Sequence, residues 1–176
     1  MDGVIGRWPN PVCLALVLEQ VFATIRCEYI WEILHRFSIP GKLIDWIRLL
    51  YTDPTARVKT GGYISTPYDI QKGTRQGCPL SPILFALVKE PLAARLRELW
   101  RAWGIPTDNQ TYIVSLYADD MLVNLRDVTI DLTEIAEALA EFPLISGLRV
   151  NYDKSHVFPL QHGAPPRPVI LNGRDI

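Results

Sequence analysis

Tyr117-Ala118-Asp119-Asp120 is the stretch that decides the fold. It lies between two short apolar runs, residues 112–116 and 121–123, and two runs of β-forming residues joined by a short polar pair predict a hairpin. The two adjacent carboxylates repel each other, and a hard divalent cation such as Mg²⁺ relieves that repulsion. The hairpin therefore indicates a metal site. A solvated turn is the competing interpretation, because Asp is a common turn residue.

Composition indicates a single globular domain. The chain has 176 residues, of which 48% are apolar and 21% are charged. A net charge of −1 gives no basic excess of the kind that nucleic-acid binders usually show, although a local basic patch is compatible with it. Cys13, Cys27 and Cys78 form no CxxC pair, which argues against a disulfide framework or a zinc site and favours a reduced, intracellular setting.

The two ends of the chain carry few signals. Residues 12–18 form the longest early apolar run, far short of the roughly 18 residues that a membrane span needs. In the segment before it, the negative charge of Asp2 offsets the positive charge of Arg7, so the segment lacks the positively charged start of a secretory signal. We therefore expect no membrane partner and a cytoplasmic or nuclear location. Residues 1–13 predict a poorly specified N-terminus, and the Pro-rich residues 159–176 predict an irregular tail.

Between these ends, the apolar pattern predicts alternating helices and strands. Residues 12–21 indicate a buried strand that enters a helix, and helical spacing over 27–37 and 43–51 predicts two helices, with Trp31 and Trp46 in the core. Alternation around Gly61-Gly62 predicts a hairpin over residues 56–70.

The second half of the chain continues the pattern. Ser81 and Pro82 are suited to begin a helix that runs to about residue 103 with a kink at Pro91. Asp131 and Glu134 form a possible capping box for a helix that Pro143 ends. Residues 148–150 and 156–158 are strand candidates joined by a turn at 151–154. The order predicts an α+β domain with helices packed on an antiparallel sheet.

A glycine-containing loop precedes the longest predicted helix. Gly73-Thr74-Arg75-Gln76-Gly77 exposes backbone N–H groups next to the start of a helix, and Lys72 and Arg75 add full charges. These features suit phosphate groups. An ordinary loop is the competing interpretation. Together with the carboxylate hairpin, the loop indicates phosphoryl chemistry with bound metals.

Three blocks of the sequence resemble the reverse transcriptases of non-LTR (LINE-type) retrotransposons. Residues 73–82, Gly-Thr-Arg-Gln-Gly-Cys-Pro-Leu-Ser-Pro, resemble the family's second conserved block, and residues 117–120 resemble its catalytic Y/F-A-D-D block. Residues 147–155 resemble the following G-x-x-x-N-x-x-K-S block. The resemblance covers residues 14–158 and implies a right-hand polymerase palm with part of the fingers.

The resemblance also implies a reaction and roles for individual residues. The reaction is two-metal nucleotidyl transfer with Mg²⁺, or Mn²⁺, on an RNA template, a DNA primer and a dNTP. Asp119 would be a metal ligand, with Asp120 beside it. Lys154 would donate a proton to pyrophosphate, a solvated turn lysine being the alternative. The template and nucleotide surface would include Phe22, which matches the family's sugar-sensing aromatic residue, with Arg75, Gln76, Gly77 and Tyr117.

The first block of the family is degenerate here. It has approximately the form D-A-E-K-A-F-D, whereas residues 17–23 are Val-Leu-Glu-Gln-Val-Phe-Ala. Val17 and Ala23 thus replace both aspartates, and a valine offers no oxygen to a metal ion. Glu19 lies two residues further along, displaced by about 7 Å in a strand, and is not expected to substitute.

We therefore expect an inactive chain. It would be a fragment of a larger polyprotein or, as the lost aspartates favour, a decayed copy. Two alternatives remain open. A palm remnant would bind nucleic acid through Lys72 and Arg75 without metal. An unstable product would have no activity, because uncovered palm faces promote association.

Overall fold

The fold is centred on a four-stranded antiparallel sheet in a computed structural model that describes residues 11–19, 21–70, 72–74, 77–99, 105–106, 111–160 and 169–176. In chain order the described strands are β1 (Val12–Leu18), β2 (Thr55–Ala56), β3 (Lys59–Thr60), β4 (Tyr63–Ile64), β5 (Tyr68–Asp69), β6 (Ile105–Pro106), β7 (Thr111–Tyr112), β8 (Val114–Tyr117), β9 (Asp120–Leu125), β10 (Val150–Pro159), β11 (Ile170–Leu171) and β12 (Arg174–Asp175). The helices are α1 (Val21–Thr24), α2 (Cys27–Arg36), α3 (Gly41–Leu50), α4 (Ser81–Leu99) and α5 (Val128–Ser146).

The central sheet has the spatial order β10-β1-β9-β8, so β1 lies between two partners. Its side chains alternate strictly between the two faces of the sheet. Leu14, Leu16 and Leu18 are buried in the core, which also contains apolar residues of α2, α4 and α5. Val17 and its neighbours at alternate positions lie on the opposite face, where they are only half-buried. The helices thus cover one face, and the other face carries the site.

The predicted helices of the first half are present. In α2 the buried residues Tyr29, Ile30, Ile33 and Leu34 follow the predicted stripe. In α3 the buried pair is Ile44 and Ile47, and the prediction that Trp46 belongs to the core is wrong. Its side chain is 72% exposed, because it lies outside the short stripe that those two isoleucines bury.

The Gly61-Gly62 hairpin is confirmed. Lys59 pairs with Ile64 and Thr60 with Tyr63, and both glycines have positive φ angles of +53° and +83°. Such angles are those that two-residue hairpin loops require and that glycine adopts without steric penalty.

Both long helices contain a proline and continue through it. Helix α4 includes Pro91, and α5 begins at Val128 and includes Pro143. The predicted cap at Asp131 and the predicted end at Pro143 are therefore wrong. Proline removes one backbone hydrogen bond, and the buried residues Leu139 and Phe142 pack the last turns against the core. No helix in the described ranges has the length and apolarity that crossing a membrane requires.

The end of the domain differs most from the prediction. Residues 148–150 and 156–158 do not pair with each other, because β10 is one strand whose two halves both pair with β1. The pairing skips from Ala15–His156 to Val17–Asn151, so residues 152–155 form a bulge opposite a single residue of β1. The tail is not irregular throughout, since β11 and β12 form a hairpin that buries Leu171.

Candidate functional site

The carboxylate hairpin is present as the sequence predicts. Tyr117 of β8 pairs with Asp120 of β9, which leaves Ala118 and Asp119 as a two-residue loop. Ala118 has a φ of +45°, in the left-handed region that residues with a Cβ seldom occupy. Both aspartates are exposed at this end of the sheet. The loop therefore presents two adjacent carboxylates to solvent from a strained backbone.

The first-block position lies beside that loop. Val17 of β1 is the direct partner of Asp120 on one side and of Asn151 on the other. Directly opposed residues of antiparallel strands share a face, with Cβ atoms about 5 Å apart. Tyr117, Asp120, Val17 and Asn151 therefore form one row across the sheet. An isopropyl group occupies the centre of that row, next to a carboxylate.

The third block holds the end of β1 in place. The Ser155 hydroxyl accepts a hydrogen bond from the Val17 N–H at 3.2 Å and donates one to the Asn151 carbonyl at 2.7 Å. The Glu19 N–H donates to the Arg149 carbonyl at 2.7 Å. Sequence reasoning assigned this block only a possible proton donor. Its observed contacts are structural and position the first-block segment.

Of the remaining predicted site residues, the structure describes the side chain of Lys154 and the position of Gly77. Lys154 is exposed in the bulge, where its backbone N–H donates to the Asn151 side-chain oxygen at 3.2 Å. Gly77 is exposed and has a φ of +82°. Phe22 belongs to α1, but its side chain lies outside the described part of the structure. Arg75 and Gln76 also lie outside the described residues.

Lys89 is the site residue that sequence reasoning missed. It lies on α4, is only 4% exposed, and its ammonium group donates a hydrogen bond to the carbonyl of Ala118. Burial lowers the pKa of Lys89, and the nearby charges of Asp119 and Asp120 oppose that change. The signal was available, because Lys89 interrupts the apolar helical spacing of Phe85, Val88 and Leu92.

The donor set does not fit a two-metal centre. Two divalent ions about 4 Å apart bring four positive charges, which several hard oxygen ligands have to balance. Here β9 and its loop supply Asp119 and Asp120, while the side chain of Val17 contains no oxygen. Glu19 lies after the end of β1, so the alternation of side chains along the strand does not place it on the same face as Val17. Across the described residues, no three His, Cys, Asp or Glu side chains cluster in a way that could hold a metal.

Comparison with known proteins places this architecture in a family. The profile described as Reverse transcriptase (RNA-dependent DNA polymerase) matches residues 7–163. The chain belongs to this family. It is 28% identical to the Transposon TX1 uncharacterized 149 kDa protein of Xenopus laevis over 142 residues, which are 81% of this chain and 11% of that protein.

Further relatives of this reverse transcriptase domain come from R2 elements. The Pol polyprotein from retrotransposable element R2DM of Drosophila melanogaster is 29% identical over 139 residues, 79% of this chain and 13% of that protein. An R2 Pol polyprotein of Popillia japonica is 29% identical over 150 residues, 85% of this chain and 24% of that protein. These relatives confirm the resemblance to LINE-type enzymes. The chain spans between a tenth and a quarter of their lengths.

Solved structures confirm the fold of the domain. Telomerase from Candida albicans, in complex with a fragment of telomeric RNA, matches with a TM-score of 0.69 at 15% identity over 99% of this chain and 30% of that chain. Apo telomerase from Candida Tropicalis, truncated from its C-terminal domain, matches with a TM-score of 0.65 at 17% identity, covering 96% of this chain and 34% of that one. At such identities the likeness establishes the α+β polymerase palm alone.

Proposed function

We propose that this reverse transcriptase domain carries the remains of a two-metal nucleotidyl-transfer site and does not synthesise DNA. The observation that carries the proposal is the register of β1 against β9, in which Val17 stands directly beside Asp120. The family's first block has an aspartate at the position that aligns with Val17. Its loss removes the carboxylate from the middle strand of the site.

The chemical consequence follows from the charge that the site must balance. Two Mg²⁺ ions bring four positive charges and require oxygen ligands in near-octahedral geometry. Asp119 and Asp120 supply two carboxylates from neighbouring positions of one hairpin. Without a third carboxylate across the sheet, nothing on β1 bridges a second ion to the first. The pair can attract one hydrated cation, which does not activate a primer hydroxyl and hold a triphosphate at once.

The other family roles belong to the same proposal. Asp119 and Asp120 would hold any residual Mg²⁺ or Mn²⁺ ion. Gly77, with Arg75 and Gln76, would border the RNA template and the incoming dNTP. Phe22 and Tyr117 would lie near the nucleotide, with Lys154 as a proton donor, and Ala23 would mark the second lost aspartate. Because the chain spans a small part of its relatives, these roles apply to the domain within whatever protein contains it.

Primer extension tests the proposal. The parent chain, an Asp119→Ala variant and a Val17→Asp, Ala23→Asp double variant are assayed on an RNA template with a DNA primer, in Mg²⁺ and in Mn²⁺. We expect no extension by the parent chain. Extension by the parent that disappears in Asp119→Ala would overturn the inactive assignment. Extension by the double variant alone would identify the lost carboxylates as the cause.

A second candidate function is nucleic-acid binding without metal. The face of the sheet that carries the site has two exposed aromatic residues, Tyr117 at 81% and Phe158 at 52%, and Phe158 contacts the His156 ring edge-on. Unpaired bases stack on such side chains, and lysines near them attract the phosphates. Lys72 is exposed in the loop before α4 and adds a positive charge to the surface of the domain.

Binding of a single-stranded RNA oligonucleotide distinguishes this candidate. Affinity that falls with added salt is expected, because phosphate contacts release counterions. Replacing Tyr117 and Phe158 by leucine should weaken binding, and the same change at Tyr63 is the matched control. Tyr63 is 82% exposed but belongs to the separate hairpin of β3 and β4. No binding at low salt would remove this candidate.

A further inference from the structure

Lys89 lies directly beneath the carboxylate loop. Of the residues that the structure describes, it is the one charged residue that is buried. Its ammonium group donates to the carbonyl of Ala118, the loop residue with the left-handed backbone, and lies 4.3 Å from the centre of the Phe85 ring. A buried ammonium group requires partners that replace water. The loop carbonyl and the aromatic face are two such partners, and both fix its position.

The charges of the loop complete the environment of Lys89. Asp119 and Asp120 act on the ammonium group electrostatically, and both favour its protonated form. The ammonium group is held by the carbonyl of Ala118, and Asp119 is the next residue in the chain. Lys89 therefore holds a buried positive charge next to the backbone of the loop that carries the two aspartates.

We infer that the Lys89 ammonium group is the resident cation of the Asp119–Asp120 loop and takes over the charge balance that a divalent ion would otherwise supply. The inference rests on the proposed function. Val17 leaves the site without one negative charge, and Lys89 adds one positive charge. Both features lower the attraction for a divalent cation. The hydrogen bond to Ala118 also holds the loop in its observed conformation with no metal bound.

Manganese binding measures this effect directly. The free Mn²⁺ concentration is followed by electron paramagnetic resonance in the parent chain, Lys89→Met and Lys59→Met. Lys59 is an exposed lysine of the β3–β4 hairpin, so its replacement changes the net charge equally from a solvated position. A unit charge about 8 Å from a divalent ion weakens its binding by about fivefold even at the dielectric constant of water. We therefore expect Lys89→Met to bind Mn²⁺ about fivefold or more tightly, and Lys59→Met to resemble the parent.

Unchanged Mn²⁺ affinity in Lys89→Met would overturn the inference. Lys89→Gln retains a donor for the Ala118 carbonyl without the charge, and it replaces Lys89→Met in the comparison if the methionine variant does not fold. The Mn²⁺ measurement has a readout other than activity, so its failure can be told apart from a failure of the proposed function. Primer extension by the parent would contradict the proposed function and leave the Mn²⁺ comparison valid.

Unfolding in urea separates charge balance from simple tethering. Lys89→Met is compared in the parent and in an Asp119→Asn, Asp120→Asn background. A charge-balancing lysine stabilises the loop only when the carboxylates are present, so we expect the urea midpoint to fall more in the parent background. An equal fall in both backgrounds would show that Lys89 is a hydrogen-bond tether and would overturn its role as a cation.

Discussion

Replacing Gly147 by alanine should destabilise the domain more than the same replacement at a glycine whose Cβ position is open. Gly147 begins the third sequence block and has a φ of +82°. A Cβ at this position would lie 2.4 Å from the carbonyl oxygen of Thr24 and 3.3 Å from the Cγ of Arg26. The obstructing atom is a backbone carbonyl oxygen at the end of α1, and it cannot rotate away as a side chain could. The chain around residues 24–26 has to move.

Three contributions set the size of the effect. A residue with a Cβ in the left-handed region costs about 1 to 2 kcal/mol relative to glycine. Moving the backbone at Thr24 also endangers the hydrogen bond from the Arg26 N–H to the Ser146 carbonyl, 3.0 Å long, which contributes about 1 kcal/mol. Together with the steric overlap, we expect a loss of about 3 kcal/mol or more in the free energy of unfolding.

Gly173 is a matched control for this substitution. It has a φ of +75°, but a Cβ there would meet no atom within 4 Å. Gly173→Ala should therefore show the backbone contribution alone, about 1 to 2 kcal/mol. Urea unfolding followed by circular dichroism gives both free energies. If the two variants differ by less than about 0.5 kcal/mol, the packing of the third block against residues 24–26 is refuted.

Three further predictions concern stability and association. Ser155→Ala should lower the free energy of unfolding by about 1 to 3 kcal/mol, because it leaves the Val17 N–H without its partner. Ser65→Ala removes an exposed hydrogen bond from the Val58 N–H and should cost under about 1 kcal/mol in the same urea assay. Similar losses at the two serines would contradict this. Burial raises the pKa of Tyr29 to about 12, so the stability it contributes is complete below its unfolded pKa of about 10 and disappears as the pH rises through 12. Between pH 10 and 12 the parent should lose about 2 kcal/mol more of its free energy of unfolding than Tyr29→Phe does. Equal dependence of stability on pH in the two chains would refute the assignment. Leu49→Lys should reduce self-association in sedimentation velocity without lowering stability, since Leu49 is 71% exposed beside Trp46 at 72%, and an unchanged sedimentation profile would exclude this helix face as the contact.

The parts of the fold that could be predicted depend on local patterns. Three such patterns each determine the structure around them: the apolar stripe of α2, the glycines of the β3–β4 hairpin, and the Asp119-Asp120 pair at the β8–β9 turn. The partner of β10 is not encoded locally, because β1 lies more than a hundred residues away in the chain. The sequence therefore suggested a closing hairpin where the structure has a single strand with a bulge.

The candidate site was predictable in part for the same reason. The resemblance of residues 117–120 located the carboxylates, and the same resemblance is the basis for the proposal that Val17 stands where the family has an aspartate. The sequence did not indicate that Ser155 would hold Val17 or that Lys89 would reach Ala118, because these contacts form only when distant segments pack together. A lysine on an apolar helix face is usually assigned to solvent.

The proposal that Val17 replaces a metal-binding carboxylate is tested most directly by the Mn²⁺ affinity of Val17→Asp. Ala15→Asp is its matched control, since Ala15 lies on the same face of β1 but pairs with Leu122 and His156 instead of Asp120. We expect Val17→Asp to bind Mn²⁺ about tenfold more tightly than the parent, equivalent to about 1.4 kcal/mol, and to lose the gain with Asp119→Ala. Ala15→Asp should give a much smaller change. Equal affinities for the two variants would contradict the assignment of Val17 to the vacant ligand position.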